Sequence, residues 1–365
     1  MYKKIIIYLN FLINSITLRI YIAKSQNIFL KILIISLKIL RNQNIRFPKE
    51  EKFIYSGDKG VYLFDGVNTK CVYPGSAFGV AINDERIFLA ISSNRNNFVI
   101  SFPVNHINFT ISNDIETHYK LKTRNKIHQI AVKDNKILLA NTTSNCITEI
   151  DLIKNNSVKN YFPFFDNFGR YIRSDHNHIN AVYPLKDGFL FLSNQNRELG
   201  SILGINKKDK LKLFSYINAG CHDILSTNNE IIFSDSFGGA DKLKKFSSPS
   251  GLVWNEKLIP IQSEFVRGIY IGQKYILSGA SVSGSRSERF FGKAHIKFIN
   301  QKTLLPEKKY SINCSQIYMI IGLNGERIFR NNYLSLEETN SFDKALEILH
   351  KNFGECVYEG SAIVN

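Results

Sequence analysis

The chain has 365 residues, of which 44% are hydrophobic and 12% aromatic, enough apolar content for one large globular domain or two ordinary ones and too much for a disordered chain. Its formal charge is +16, but residues 1–49 hold nine Lys or Arg and no Asp or Glu, so they carry +9 and leave +7 for the rest. A nucleic-acid binder concentrates charge on its folded domain and interleaves aromatics with it, so this placement argues against a nucleic-acid partner.

In chain order, Met1 to Lys24 starts basic and continues apolar, as a signal peptide would, but Asn10, Asn14 and Arg19 interrupt the run and no small-x-small cleavage site follows closely. No stretch of eighteen residues is free of charge, which disfavours a simple transmembrane helix. From Ser25 to Arg41 the pattern is clearer: Asn27, Lys31, Lys38 and Arg41 fall on one helical stripe, and Ile28, Leu30, Ile32, Leu33, Ile34, Ile35, Leu37 and Leu40 fill the remainder. A basic, apolar helix of this kind fits an anionic membrane surface, which residues 1–46 would contact; packing on the folded domain is the alternative. Pro48 and the charged run Lys49-Glu50-Glu51-Lys52 mark the boundary.

Strands and turns follow. Phe53–Ser56, Gly60–Phe64 and Lys70–Tyr73 are separated by the turn signals Gly57-Asp58 and Asp65-Gly66, and make a unit that lacks its first strand. A repeat then begins. FGVAINDERIFLA at Phe78 recurs as HQIAVKDNKILLAN at His128, again at His178, His222 and Arg267, and in truncated form at Gln316. The steps of 50, 50, 44, 45 and 49 residues each leave room for four short strands, the period of a propeller blade. Pairing Gln316–Ile321 with the incomplete unit Phe53–Tyr73 closes a ring of six and leaves no open edge. A seventh blade would need strands in Arg327–Val364, which instead reads as helical, with a capping box at Ser335-x-x-Glu338 and an amphipathic run from Ser341 to Phe353 that stops at Gly354. The expected architecture is all-β: a six-bladed β-propeller over residues 50–325, its N- and C-terminal strands closing one blade. A basic helical segment (1–49) precedes it and an extension with a short helix (326–365) follows.

In a propeller the residues that begin the inner strands converge at one mouth of the central channel. Here they are Phe78, His128, His178, His222, Arg267 and Gln316, with the second-strand ends Ile91, Asn141, Ser193, Asp235 and Ala280 beside them. The first blade is apolar at this level and the next four are polar, an asymmetry that a purely structural ring would not need. His128, His178 and His222, with Asp235 or Asp175 nearby, form a candidate Zn or Fe site that would acidify a bound water; the competing reading is that each His bridges blades by hydrogen bonds. Asp175-His176-Asn177-His178-Ile179-Asn180 is the densest polar cluster, in which Asp175 would fix a His tautomer. The insertion Ser281–Arg289 lies on the same face, so Arg267, Arg286 and Arg289 are a candidate anion site, with a solvated loop as the alternative. Cys221 precedes His222 directly, and strand neighbours point to opposite sides, which disfavours a Cys–His nucleophile. Five cysteines, far apart and without CxxC spacing, read as free thiols in a reducing compartment. His106 and His118 fall outside the repeat and read as surface residues.

HQIAV…LLANTTSNCITEID, DHNHINAV, CHDIL…IIFSDS and the Arg267-Gly268 strand together resemble an uncharacterised bacterial β-propeller family classed as a domain of unknown function. The resemblance covers residues 55–325. It singles out His128, Asn141, Thr142, Cys146, Asp151, Asp175, His178, Asn180, His222, Asp235, Ser236, Arg267 and Gly268, and it implies no established reaction. More distantly the architecture is similar to six-bladed lactonase and strictosidine-synthase-like propellers, some of which bind a divalent cation; His in place of acidic and Asn ligands disfavours calcium here. The functional expectation is a cytoplasmic, monomeric propeller that binds a small anionic or sugar-like ligand through His128, His178, His222, Arg267, Asn141, Asn180 and Arg286. The alternatives are a metal-assisted hydrolase or lyase with Asp235 or Asp175 as acid–base group, and a membrane-associated interaction scaffold.

Overall fold

Short apolar strands broken by polar turns pair into six antiparallel sheets arranged as the blades of a propeller. The computed structural model describes residues 42–43, 45–83, 86–92, 97–105, 110–111, 114–121, 127–172, 175–194, 200–208, 210–216, 218, 220–227, 230–236, 250–255, 257–261, 264–282, 286–322 and 341–364. From the axis outward, blade 1 is Ala77–Ile82, Arg86–Ser92, Asn97–Asn105 and Glu116–Leu121, and blade 2 is Ile127–Lys133, Lys136–Asn141, Cys146–Asp151 and Ser157–Phe162. Blade 3 is Ile179–Pro184, Phe189–Asn194, Ser201–Lys207 and Lys210–Tyr216, and blade 4 is Cys221–Thr227, Glu230–Asp235, Gly251–Trp254 and Lys257–Pro260. Blade 5 is Glu264–Ile271, Tyr275–Val282, His295–Asn300 and Pro306–Ser311. Blade 6 is closed as expected: Ile317–Gly322 is its inner strand and pairs antiparallel with Phe53–Gly57, ahead of Val61–Phe64 and Thr69–Tyr73.

One irregularity recurs in all six blades. The pairing of inner and second strand shifts register at Ala77/Gly79, between Ile127 and Ile130, at Ile179/Ala181, His222/Ile224 and Arg267/Ile269, and between Ile317 and Met319. A bulge puts an extra residue on one strand and re-aims its side chains. Here it lies at the end of each inner strand that faces the channel mouth. Blades approach closely at these points: a Cβ on Gly79 would meet the backbone N of Ile130 at 2.8 Å, and one on Gly268, where φ is +77°, the backbone N of Ile320 at 3.1 Å. Below the mouth the faces of neighbouring blades interdigitate in apolar layers, as with Ala81 and Phe88 of blade 1 against Ile130 and Ile137 of blade 2.

Both ends of the chain contribute more than the repeat predicts. Residues 45–49, placed by sequence with the N-terminal segment, pack on the propeller. Phe47 is buried, its ring 5.1 Å from Phe53 and 5.0 Å from Phe64, and Gln43 bridges to Thr69 and accepts from the Tyr55 hydroxyl at 3.1 Å. The Glu51 carboxylate is buried and accepts backbone N–H groups from Gln273, Lys274 and Tyr275, the turn of blade 5. The expected helix before Arg41 lies outside the described residues; among those described, no helix is long and apolar enough to cross a membrane.

Helix α1 (Arg286–Phe291) occupies the blade 5 insertion. Helix α2 (Phe342–Phe353) is capped as predicted: Ser341 Oγ accepts from Lys344 N at 3.2 Å, and Gly354, with φ 77°, ends it. Phe342, Ala345, Ile348 and Leu349 bury its apolar face with Phe214, Phe233 and Leu252 of blades 3 and 4. Ser335 and Glu338, the predicted capping box, lie outside the described residues. The residues after α2 make two short strands that extend existing blades: Tyr358–Gly360 pairs with Lys210–Tyr216, and Ile363–Val364 with Ser157–Phe162.

Candidate functional site

The bulged strand starts bring most of the predicted ring together. The Phe78 and His128 rings are 5.9 Å apart and nearly parallel, His128 and His178 meet edge to face at 4.8 Å, and His128 and His222 lie 6.4 Å apart at an interplanar angle of 17°. Arg267 Nη2 reaches His222 Nε2 at 2.6 Å. The sixth member is not Gln316. That residue precedes the inner strand of blade 6, where its backbone O accepts from Asp58 N and its N–H donates to Asp58 Oδ1, whereas Tyr318, at the bulge, stacks on Phe78 at 4.4 Å. His178 likewise stands just ahead of its strand, with φ 50°, a left-handed conformation that His tolerates better than most residues; from there its ring reaches His128.

Hydrogen bonding fixes the state of His222. Its Nδ1 lies 2.7 Å from the Gly220 carbonyl and 2.8 Å from Ser236 Oγ, which itself donates to Val266 O. A carbonyl only accepts, so Nδ1 carries the proton and Nε2 presents its lone pair to the Arg267 guanidinium. Burial, the positive charge of Arg267 and the neighbouring His128 and His178 rings hold the pKa of His222 well below its ordinary value. The ring is therefore a neutral acceptor that orients Arg267. The Asp223 carboxylate accepts from Gly268 N at 2.7 Å and Ser234 Oγ at 3.2 Å; burial raises its pKa to about 6 against the pull of these hydrogen bonds and of Arg267.

Two cations approach one aromatic ring. The guanidinium carbons of Arg267 and Arg289 lie 4.8 Å and 3.9 Å from the centre of the Phe265 ring, and that ring is 5.6 Å from His222. Arg289 comes from α1, so the blade 5 insertion does deliver an arginine to the ring; the Arg286 side chain lies outside what is described. His178 Nδ1 is 2.8 Å from Asp175 Oδ1. The loop carrying this pair is held by Asn145 and Asn177, which exchange hydrogen bonds at 2.8 and 3.2 Å, and by Thr142, whose hydroxyl donates to Ile179 O at 2.7 Å.

Other expected site residues do other work. Asp235 is buried and accepts from Asn218 Nδ2 at 2.7 Å and from the Tyr216 hydroxyl. Strand alternation turns it away from His222 and gives that position to Ser236, so the structure does not support Asp235 as an acid–base group for the ring. Asn141 donates to Thr148 Oγ1 within blade 2, and Asn180 donates to the Cys221 carbonyl across the boundary of blades 3 and 4. His118, expected at the surface, is buried with Nε2 2.7 Å from Ser101 Oγ. His106 lies outside the described residues.

The arrangement does not support the shared metal site. The three imidazoles converge, but His222 spends its proton on Gly220 and Ser236 and its lone pair on a guanidinium, so a cation there would have to displace Arg267. Among the described residues no group of three or more His, Cys, Asp or Glu is set to hold a metal ion.

No family model and no curated protein matches the chain. Solved structures of similar architecture include a putative 6-phosphogluconolactonase from Bacteroides fragilis, 12% identical over 75% of this chain and 98% of that one, with a TM-score of 0.46. A chain of a nidogen/laminin complex is 8% identical over 74% of this chain and 97% of that one, at a TM-score of 0.47. The periplasmic gluconolactonase of Pseudomonas aeruginosa is 7% identical over 75% and 99%, at a TM-score of 0.40.

Proposed function

We propose that the chain binds a small anionic, sugar-like molecule at the polar side of the propeller mouth. The observation that carries this reading is the approach of both Arg267 and Arg289 to the Phe265 ring, with Arg267 held in place by a neutral His222. Two guanidiniums on one ring repel each other, and an anion between them relieves that repulsion; a carboxylate or phosphate also matches their forked donors. The half-exposed His178 and Asp175 add polar groups for hydroxyls. The bulge keeps these side chains clear of the packing between blades, which is carried by the residues that follow them.

The test is calorimetric titration and thermal unfolding of the full chain with D-glucuronate, D-gluconate, D-glucose 6-phosphate and neutral D-glucose. An anion at a hundred times its dissociation constant raises stability by about 2.7 kcal/mol, whereas glucose leaves it unchanged. Arg267→Gln weakens anion binding by about tenfold or more, as expected for loss of one charge-assisted hydrogen bond. Equal responses to glucose and its anions, or unchanged affinity in Arg267→Gln, overturn the reading.

A further inference from the structure

We propose that His178 and His128 are a proton-transfer pair that isomerises an anionic hydroxy-aldehyde or hydroxy-ketone, with Asp175 as the residue that positions His178; this rests on the anion-binding reading above. Three features of the mouth converge on it. First, His178 Nδ1 donates to Asp175 at 2.8 Å, which fixes the tautomer and leaves the Nε2 lone pair as a base, and the ring is partly open to solvent. Second, His128 sits edge to face with it at 4.8 Å, which puts two imidazoles within reach of one small substrate. Third, Arg267 lies against His222, whose ring is 6.4 Å from that of His128, so the guanidiniums would hold the anionic end of a ligand whose reactive carbons lie toward the histidines.

Two adjacent imidazoles can carry two protons, one acting as base and the other as acid. Moving a carbonyl to the neighbouring carbon uses both, one for carbon and one for oxygen. In that reaction His178 Nε2 takes the proton from C2, the C2–H pair becomes the C1=C2 double bond, and the carbonyl π pair moves to O1, which takes a proton from His128. The enediol then reverses in the other sense: the O2 hydroxyl gives its proton to His128, its electron pair forms C2=O, and the double-bond pair takes the proton from His178 at C1. Both imidazoles end as they began, and no oxidant, reductant or co-reactant is consumed. The left-handed backbone of His178, φ 50°, fits a side chain turned toward the ring from outside its strand.

D-Glucuronate and D-glucose 6-phosphate separate the question of the anion from that of the chemistry, since both are hydroxy-aldehydes in open-chain form but one carries a carboxylate and the other a phosphate. The full chain is incubated with each in D2O and followed by proton NMR, with saturation transfer from the protein as an independent measure of binding. Loss of the H2 signal and appearance of the ketose are expected for at least one probe. His178→Gln lowers that rate by on the order of 10²-fold while saturation transfer persists. Asp175→Asn lowers it by about tenfold and shifts its pH profile, which a merely structural role would not do. Saturation transfer without exchange overturns the isomerase and leaves the binding site standing. Exchange at the same rate in His178→Gln assigns the activity to another protein and also overturns it. No saturation transfer to either probe removes both readings together.

Discussion

Asp223→Asn tests the electrostatics of the mouth through stability alone. The folded protein holds the Asp223 proton more tightly than the unfolded chain, because burial raises its pKa from the ordinary 3.8 to about 6. The neutral carboxyl therefore favours the fold below the ordinary value, and that contribution is lost as the pH rises through about 6. At 1.36 kcal/mol for each unit of pKa, the loss amounts to about 3 kcal/mol. Asn does not titrate, and its Oδ1 can still accept from Gly268 N and Ser234 Oγ. The stability of the variant relative to the parent should thus climb by about 3 kcal/mol between roughly pH 4 and pH 7 and stay level above it. His222 acts with the opposite sign: its lowered pKa means that the unfolded chain binds its proton first, so its contribution is lost as pH falls below the ordinary 6.5. The two slopes oppose one another in the parent, and removing Asp223 exposes that of His222. Urea unfolding of both proteins across this range measures the difference directly, with all other titrations cancelling. Parallel stability curves would refute the account of a carboxyl whose charged form is disfavoured at the mouth.

Three further outcomes follow from the same geometry. Glu51→Ala strands three backbone N–H groups of the blade 5 turn and lowers stability in urea unfolding by about 3 kcal/mol, whereas Glu51→Gln keeps an acceptor and costs less; equal losses would show that packing, not the hydrogen bonds, matters. Ser236→Ala leaves Gly220 O to hold the His222 tautomer, so anion affinity changes by less than about threefold, while His222→Phe releases Arg267 and weakens it by about tenfold or more. Ending the chain at Gly354 uncovers the outer strands of blades 2 and 3, and light scattering should then show concentration-dependent association of a still folded propeller; a monodisperse product would mean that those edges are harmless.

The propeller was legible because its signal is periodic: five copies of strand, polar turn and strand at near-constant spacing, with one orphan strand at the end to complete the incomplete first unit. The termini were not. The environment of Phe47 is made by Phe298 and Tyr310, some two hundred and fifty residues away, and no local pattern announces such a contact. Tyr358–Gly360 and Ile363–Val364 are three and two residues long, too short for alternation to be read. At the site, residue types were readable and side-chain direction was not. Aligning second-strand ends named Asp235, but a period of two gives the face toward His222 to Ser236. The same alignment named Gln316, two positions ahead of Tyr318, the residue at the blade 6 bulge that stacks on Phe78.

That bulge also explains how one ring of six positions can hold Phe, Tyr, His and Arg without disturbing the fold. In each inner strand the residue at the mouth and the residue after it have separate tasks. Gly79 follows Phe78 and lets blade 2 come within contact of blade 1; Gln129 follows His128 and accepts from Val182 N at 2.9 Å; Asp223 follows His222 and accepts from Gly268 N. These second residues fasten each blade to the next, and they are buried. The mouth residues meet one another around the circle, by ring contacts and by the hydrogen bond of Arg267 to His222. A run of aromatic rings from Tyr318 through Phe78 to His128 gives way to imidazoles and then to guanidiniums around the same circle. Separating the fastening from the mouth is what permits that gradient.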